Sequence, residues 1–217
     1  MIRKSIDNQL DIAEVAIEGV LGHPDIQKLL ANYGYDRKRV MEGKALLNTA
    51  RMLQSGKNQK QGAQREASST LQRDRQLAWK AYMRHVTLAR LSFPEDSGAW
   101  KKLQLSGGRK RSFAGWLEQA RNFYHELSND TVILEQTGIA REEVEQAQAM
   151  VDAVRAARQQ HKYCRGEAQQ ATQNRNKALQ ELRVWTKRFL KIAAIALEGQ
   201  EQMLEALGMV TKAYVIK

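Results

Sequence analysis

One register runs through this chain twice. Leu30 and Leu134, Gly34 and Gly138, Val40 and Val144, and Ala45 and Ala149 all stand 104 residues apart. The same spacing pairs Arg51 with Arg155, Gly62 with Gly166, Ala67 with Ala171, Arg84 with Arg188, Ala89 with Ala193 and Leu103 with Leu207. Conservative pairs fill the intervals: Leu47 with Val151, Leu88 with Ile192 and Leu91 with Ile195. Self-similarity at a fixed period is the signature of a repeated structural unit, and it constrains the fold before any single element does. The first apolar stripe of each half corresponds at a spacing of 107, where Ile6, Leu10, Ala13, Ile17 and Val20 match Phe113, Leu117, Ala120, Tyr124 and Leu127. The extra residues fall in Ser106–Arg111, a glycine-bearing basic connector. The organisation expected is a first helical unit at 1–105, a linker at 106–108, a second unit at 109–209 and a tail at 210–217, with the two units packing as one domain.

Each unit spells the same string of helices. Phe113, Trp116, Leu117, Ala120, Phe123, Tyr124 and Leu127 draw one apolar stripe at helical spacing. A short helix follows in each half, and Gly34 and Gly138 then stand where a left-handed C-terminal residue is wanted. Asp36 is placed to cap the next helix. Val144, Ala147, Val151 and Val154 repeat a 3–4 alternation suited to a bundle seam, and Ala178, Leu182, Trp185, Phe189, Ile192 and Ala196 continue it later. Between these seams, 54–70 and 159–176 carry almost no large apolar residue. Lys, Gln, Ala, Arg and Glu there are good helix formers. Two readings are open, a polar hairpin tip near Gly62 and Gly166 or one continuous helix such as Asp36 to Ser92. Long helices that turn back shortly after these glycines are expected, with the glycines marking either the turn or a close helix crossing. The fold class is therefore all-α: an elongated antiparallel helical bundle built from two pseudo-symmetric repeats with long helices.

Composition excludes several classes. With 2 prolines and 14 glycines in 217 residues, the chain lacks the turn density of a β sandwich. A single cysteine rules out a disulfide framework within the chain and a thiolate-rich zinc site. No segment approaches the roughly 20 apolar residues of a membrane span, and Met1–Asp11 has no apolar signal core, so a cytoplasmic location is expected. None of His23, His85, His125 and His161 has a glutamate three residues before it, as a helical metal site would use. His85 takes the register position of Phe189, which makes it a core histidine rather than a ligand. Cys164 stands among basic neighbours but beside no identifiable base or oxyanion donor. The Ser106–Lys110 stretch lacks the spacing of a phosphate-binding loop and reads as a flexible basic linker. No catalytic, cofactor-binding or metal-ligating residue is assigned, no cofactor is expected, and the chain is read as not an enzyme.

The charge is the broad functional hint. The chain has 35 Lys+Arg against 24 Asp+Glu, a net +11. Clusters at Arg37-Lys38-Arg39 and Arg109-Lys110-Arg111 suit phosphates on nucleic acid or another polyanion. Yet residues 1–105 hold 18 basic and 11 acidic residues, leaving 17 and 13 for the remainder, so charge is spread over both units. Trp79 aligns with Arg183 and is therefore placed outside the core as a contact residue, while Trp100 sits in a short helix where it locks that helix down or meets a partner. The last residues, among them Tyr214, Val215 and Ile216, alternate in a strand-like pattern and are candidates for docking on a neighbouring subunit or on the chain's own bundle.

Two segments, Arg109–Arg121 and Met203–Gly208, resemble a group of uncharacterised bacterial all-helical proteins of about this length with two internal repeats. The resemblance implies a bacterial origin and a duplicated helical fold, and it brings no functional residues. The expected function is that of a non-enzymatic structural protein, its partner a second copy of itself in a ring, tube or filament. The competing expectation is a basic helical module that binds nucleic acid or another polyanion.

Overall fold

The computed structural model describes residues 5–95 and 97–209, and among them all the regular structure is helical, with no strand. Eight helices follow in chain order: α1 Ile6–Gly22, α2 Pro24–Ala31, α3 Arg37–Ser92, α4 Gly98–Lys102, α5 Phe113–Asn129, α6 Thr131–Thr137, α7 Arg141–Ala196 and α8 Glu201–Ala206. The tail candidates Tyr214, Val215 and Ile216 lie outside the described residues.

Local chemistry sets the helix boundaries. The side chains of Ser5, Asp36, Ser97, Ser112 and Asp130 each accept from a backbone N–H three residues on, closing the first turns of α1, α3, α4, α5 and α6. Pro24 opens α2, where its missing donor costs nothing. Pro94 lies just beyond α3. Gly34 and Gly138 take the left-handed conformation, φ +79° and +66°, ahead of the two long helices.

Neither α3 nor α7 turns back at the glycine expected to bend it. Both are unbroken α-helix for 56 residues, and Gly62 and Gly166 lie inside them. A Cβ built on either glycine would meet nothing within 4 Å, so they mark neither a turn nor a close crossing. The physical reason is the surrounding sequence: with no proline and a run of strong helix formers, the cost of about 1 kcal/mol for one interior glycine is too small to end the helix.

The long helices pack antiparallel. Numbers rise along one as they fall along the other: Gly43 faces Trp185, Gln54 accepts from Arg175 Nη1 at 2.7 Å, and Lys60 pairs with Glu167 at 2.7 Å. The chain divides into two compact units, one of residues 1–60 with 167–217 and the other of residues 61–166. These cuts differ from those of the sequence register, because each unit takes one half of α3 and one half of α7.

In the first compact unit, α1 and α2 cover Val40, Leu47 and Ala50 of α3 together with Leu182, Phe189 and Ala193 of α7, and α8 adds Leu204. Tyr35, Trp185 and Phe189 form its aromatic centre, Trp185 and Phe189 stacked at 5.1 Å and 10°. In the second, α5 and α6 cover Val144, Val151 and Val154 of α7 together with Tyr82, Val86 and Ala89 of α3, with Leu103 and Leu105 following α4. Its aromatic centre is edge-to-face, Tyr82 on Phe123 at 5.5 Å and Phe123 on Tyr124 at 5.3 Å. Such pairs add about 0.5–1.5 kcal/mol each beyond the area they bury.

Glycine has a packing role where helices meet closely. A Cβ on Gly43 would fall inside the indole of Trp185, and one on Gly19 would strike the backbone carbonyl of Ala206. The register partners of Gly43 and Trp185 are Ala147 and Ala81, so the second unit fills the corresponding space with two small side chains instead of one large one. Gly43→Ala is expected to destabilise the fold by about 1–3 kcal/mol through overpacking, although helix propensity alone favours alanine by about 1 kcal/mol. Gly62→Ala and Gly166→Ala are expected to stabilise it by about 0.5–1 kcal/mol each. Urea midpoints of the three variants check both signs. Destabilisation at Gly62 or Gly166 would show that the helix is not continuous there.

Candidate functional site

Within the second compact unit, the connector after α4 is fixed rather than slack. Trp100 Nε1 donates to Ser106 Oγ at 2.9 Å, so this tryptophan locks the connector as well as its own helix. Arg90, near the end of α3, donates to Leu105 O at 2.7 and 3.0 Å and to Gly107 O at 2.6 Å. Arg109 donates to Gln104 O at 2.8 Å, to Ser106 O at 3.1 Å and to Tyr82 Oη at 3.0 Å. Gln104 is held at φ +55°, a left-handed conformation outside glycine that this clamp must sustain. Lys110 N donates to Gln119 Oε1 at 3.1 Å, and Gln119 is itself buried. Two arginines thus satisfy the carbonyls of a segment that lacks regular structure.

This clamp places the basic triplet beside a face of α3. Arg75, Trp79, Arg109, Lys110, Arg111 and Trp116 line a cleft of about 380 Å³, joined by Gln72 and Gln76. Four of the candidate residues named from sequence, Trp79 with Arg109, Lys110 and Arg111, are brought together here. Sequence reasoning missed Arg75, and it assigned Trp116 to the core alone. Trp116 is 1% exposed and does belong to the core, yet it also forms a wall of the cleft. The signal for the α3 side was the spacing: residues 72, 75, 76 and 79 fall on one helical face.

The walls of the cleft carry no carboxylate. None of its four cations enters an ion pair among the described residues. Trp79 is 39% exposed and is backed by Trp116 at 5.9 Å and Tyr82 at 6.3 Å between ring centroids. Arg75 lies over the Phe113 ring at 5.4 Å. Trp116 Nε1 and Arg109 Nε are buried and each has no hydrogen-bond partner. Such an arrangement can hold an anion and a flat ring; it offers no nucleophile with an adjacent base.

The other basic triplet is differently placed. Arg37, Lys38 and Arg39 occupy the first turn of α3, exposed, in the other compact unit, and Arg39 lies over the Tyr35 ring at 4.8 Å. Cations there oppose the helix dipole. Cys164 is buried, accepting from Gln160 Nε2 at 3.4 Å. Among the described residues no cluster of three or more His, Cys, Asp or Glu side chains could hold a metal ion, and no helix is long and apolar enough to cross a membrane.

The most buried ionisable arrangement is His85, 3% exposed, in the core of the second unit. Its Nδ1 lies 3.1 Å from Tyr124 Oη, and its Nε2 lies 3.5 Å from Glu143 Oε2, with Arg84 at 3.8 Å from the same carboxylate. Burial holds the imidazole below the usual histidine range, against the pull of Glu143. Burial also pushes the Tyr124 hydroxyl far up.

Comparison with protein-family models, with curated proteins and with solved structures found no match.

The His85 environment sets a pH dependence. The unfolded chain takes up a proton at this residue near pH 6.5, whereas the folded chain does so only at lower pH. Stability is therefore complete above about pH 6.5 and declines as pH falls through the folded value. His85→Phe with Tyr124→Phe, which removes both hydrogen-bond partners and copies the phenylalanine at 189, is expected to flatten the fall in urea midpoint between about pH 7.5 and 5.5. An unchanged slope would assign that dependence to other groups.

Proposed function

We propose that this chain is a non-enzymatic structural protein, built from two copies of one helical module, that self-associates through quasi-equivalent surfaces into a ring, tube or filament. The copied module is supported by the element lengths. Both α3 and α7 have 56 residues, and both α1 and α5 have 17. Starts at 37 and 141, and ends at 92 and 196, preserve the 104-residue register at each end of the long helices. Core positions follow it as well: Val40 and Val144, Leu47 and Val151, Ala89 and Ala193, and Leu103 and Leu207 are all buried.

One observation carries the assembly. Leu91 and Ile195 are 81% and 58% exposed, and they occupy the same register position. Elsewhere an exposed large apolar residue faces a polar, small or less exposed partner in the register, as Met41 does Glu145 and Leu77 does Glu181. Around the matched pair the pattern repeats: exposed Arg84, half-buried Leu88 and exposed Leu91 on α3, then exposed Arg188, half-buried Ile192 and exposed Ile195 on α7. These spacings place each trio on one helical face. An apolar strip flanked by a cation and offered twice by one chain suits a contact between copies. A second reading, binding of a polyanion, is supported by the carboxylate-free basic cleft.

Light scattering on a sizing column and negative-stain imaging test the assembly. The chain is expected to form species of multiple copies, and Leu91→Glu with Ile195→Glu to return it to one copy. Both sites are exposed, so the monomer's own stability should change by no more than about 0.5 kcal/mol per site. A strict monomer at high concentration, or assembly indifferent to the double substitution, would overturn this reading.

A further inference from the structure

We propose that the cleft formed by Arg75, Trp79, Arg109, Lys110, Arg111 and Trp116 binds a nucleotide, its base on Trp79 and its phosphate among the cations. This inference deepens the polyanion reading and is independent of self-association.

Four cations share one cleft with no carboxylate in its walls. Like charges gathered this way repel, and an anion is what removes the repulsion. Three of the four come from a connector whose backbone is held by Arg90 and Arg109 hydrogen bonds, so the segment that carries them is fixed before a ligand arrives. A phosphate alone would not need an indole. Trp79 supplies a partly exposed ring backed by two further aromatics, the arrangement on which bases stack.

The volume of about 380 Å³ is in the range of small-ligand sites.

The register adds an independent argument. At the positions matching Arg75 and Trp79 the chain has Leu179 and Arg183. Arg75 and Trp79 are exposed, and the shared register does not require them.

The chemistry has two sources, a free mononucleotide or one residue of a single strand, and the test separates them. Titrations of the full chain, followed by tryptophan fluorescence and calorimetry, use AMP, adenosine, inorganic phosphate and a short single-stranded oligothymidylate. Saturable binding of AMP, tighter than that of adenosine or phosphate, is expected, and it should weaken as salt rises. Trp79→Ala and Arg75→Gln should each weaken it about tenfold or more, with far-UV dichroism unchanged. Arg111→Gln, an exposed position, provides a variant with little bearing on folding. Equal affinity for AMP and the oligomer assigns a free nucleotide; tighter binding of the oligomer assigns a strand. Phosphate competing as well as AMP would overturn the nucleotide site. Oligomer binding that survives all three substitutions would overturn it too, while leaving the polyanion reading intact and moving it to another surface, such as Arg37–Arg39. Absence of binding to any probe would overturn both.

Discussion

The fold depends on two backbone hydrogen-bond ladders that never break. From Arg37 to Ser92 and from Arg141 to Ala196, each long helix carries apolar seams toward its ends and polar residues through its middle. Because the ladder continues across the polar middle, the two seams of one helix cannot fold onto each other. Each seam must instead find cover from other elements. In one compact unit the early seam of α3 meets the late seam of α7 beneath α1 and α2; in the other, the early seam of α7 meets the late seam of α3 beneath α5 and α6. Had either helix bent at its central glycine, each sequence unit would have been free to close on itself.

Much of this was legible in the sequence. Apolar spacing gave the seams, Asp36 gave the start of α3, and the prolines at 24 and 94 fell outside the long helices as their chemistry requires. What periodicity withholds is pairing. Both halves write the same seam, so the pattern says which face is buried but not which seam covers it. The compensating pair of Gly43 with Trp185, against Ala147 with Ala81, does hold that information, as one large and one absent side chain replacing two small ones. Gly62 and Gly166 misled because glycine is weak punctuation when every neighbour favours helix.

The cleft was half legible. Trp79 stood out because its register partner is an arginine, and the basic triplet stood out by composition. Their meeting was not readable, because it depends on how the connector is routed, and that routing is fixed by Arg90 and Arg109 bonding to carbonyls of a segment without periodic structure. Trp116 shows how a single residue joins both roles. It fills the core and also lines the cleft.

That each core draws on both sequence units is tested most directly by dividing the chain at its connector. Residues 1–108 and 109–217, produced as separate polypeptides, should each lack a cooperative unfolding transition as a monomer. On mixing they should form a one-to-one complex that unfolds cooperatively. A monomeric half that unfolds cooperatively by itself would show that a sequence unit supplies its own cover, and it would contradict this account of the fold.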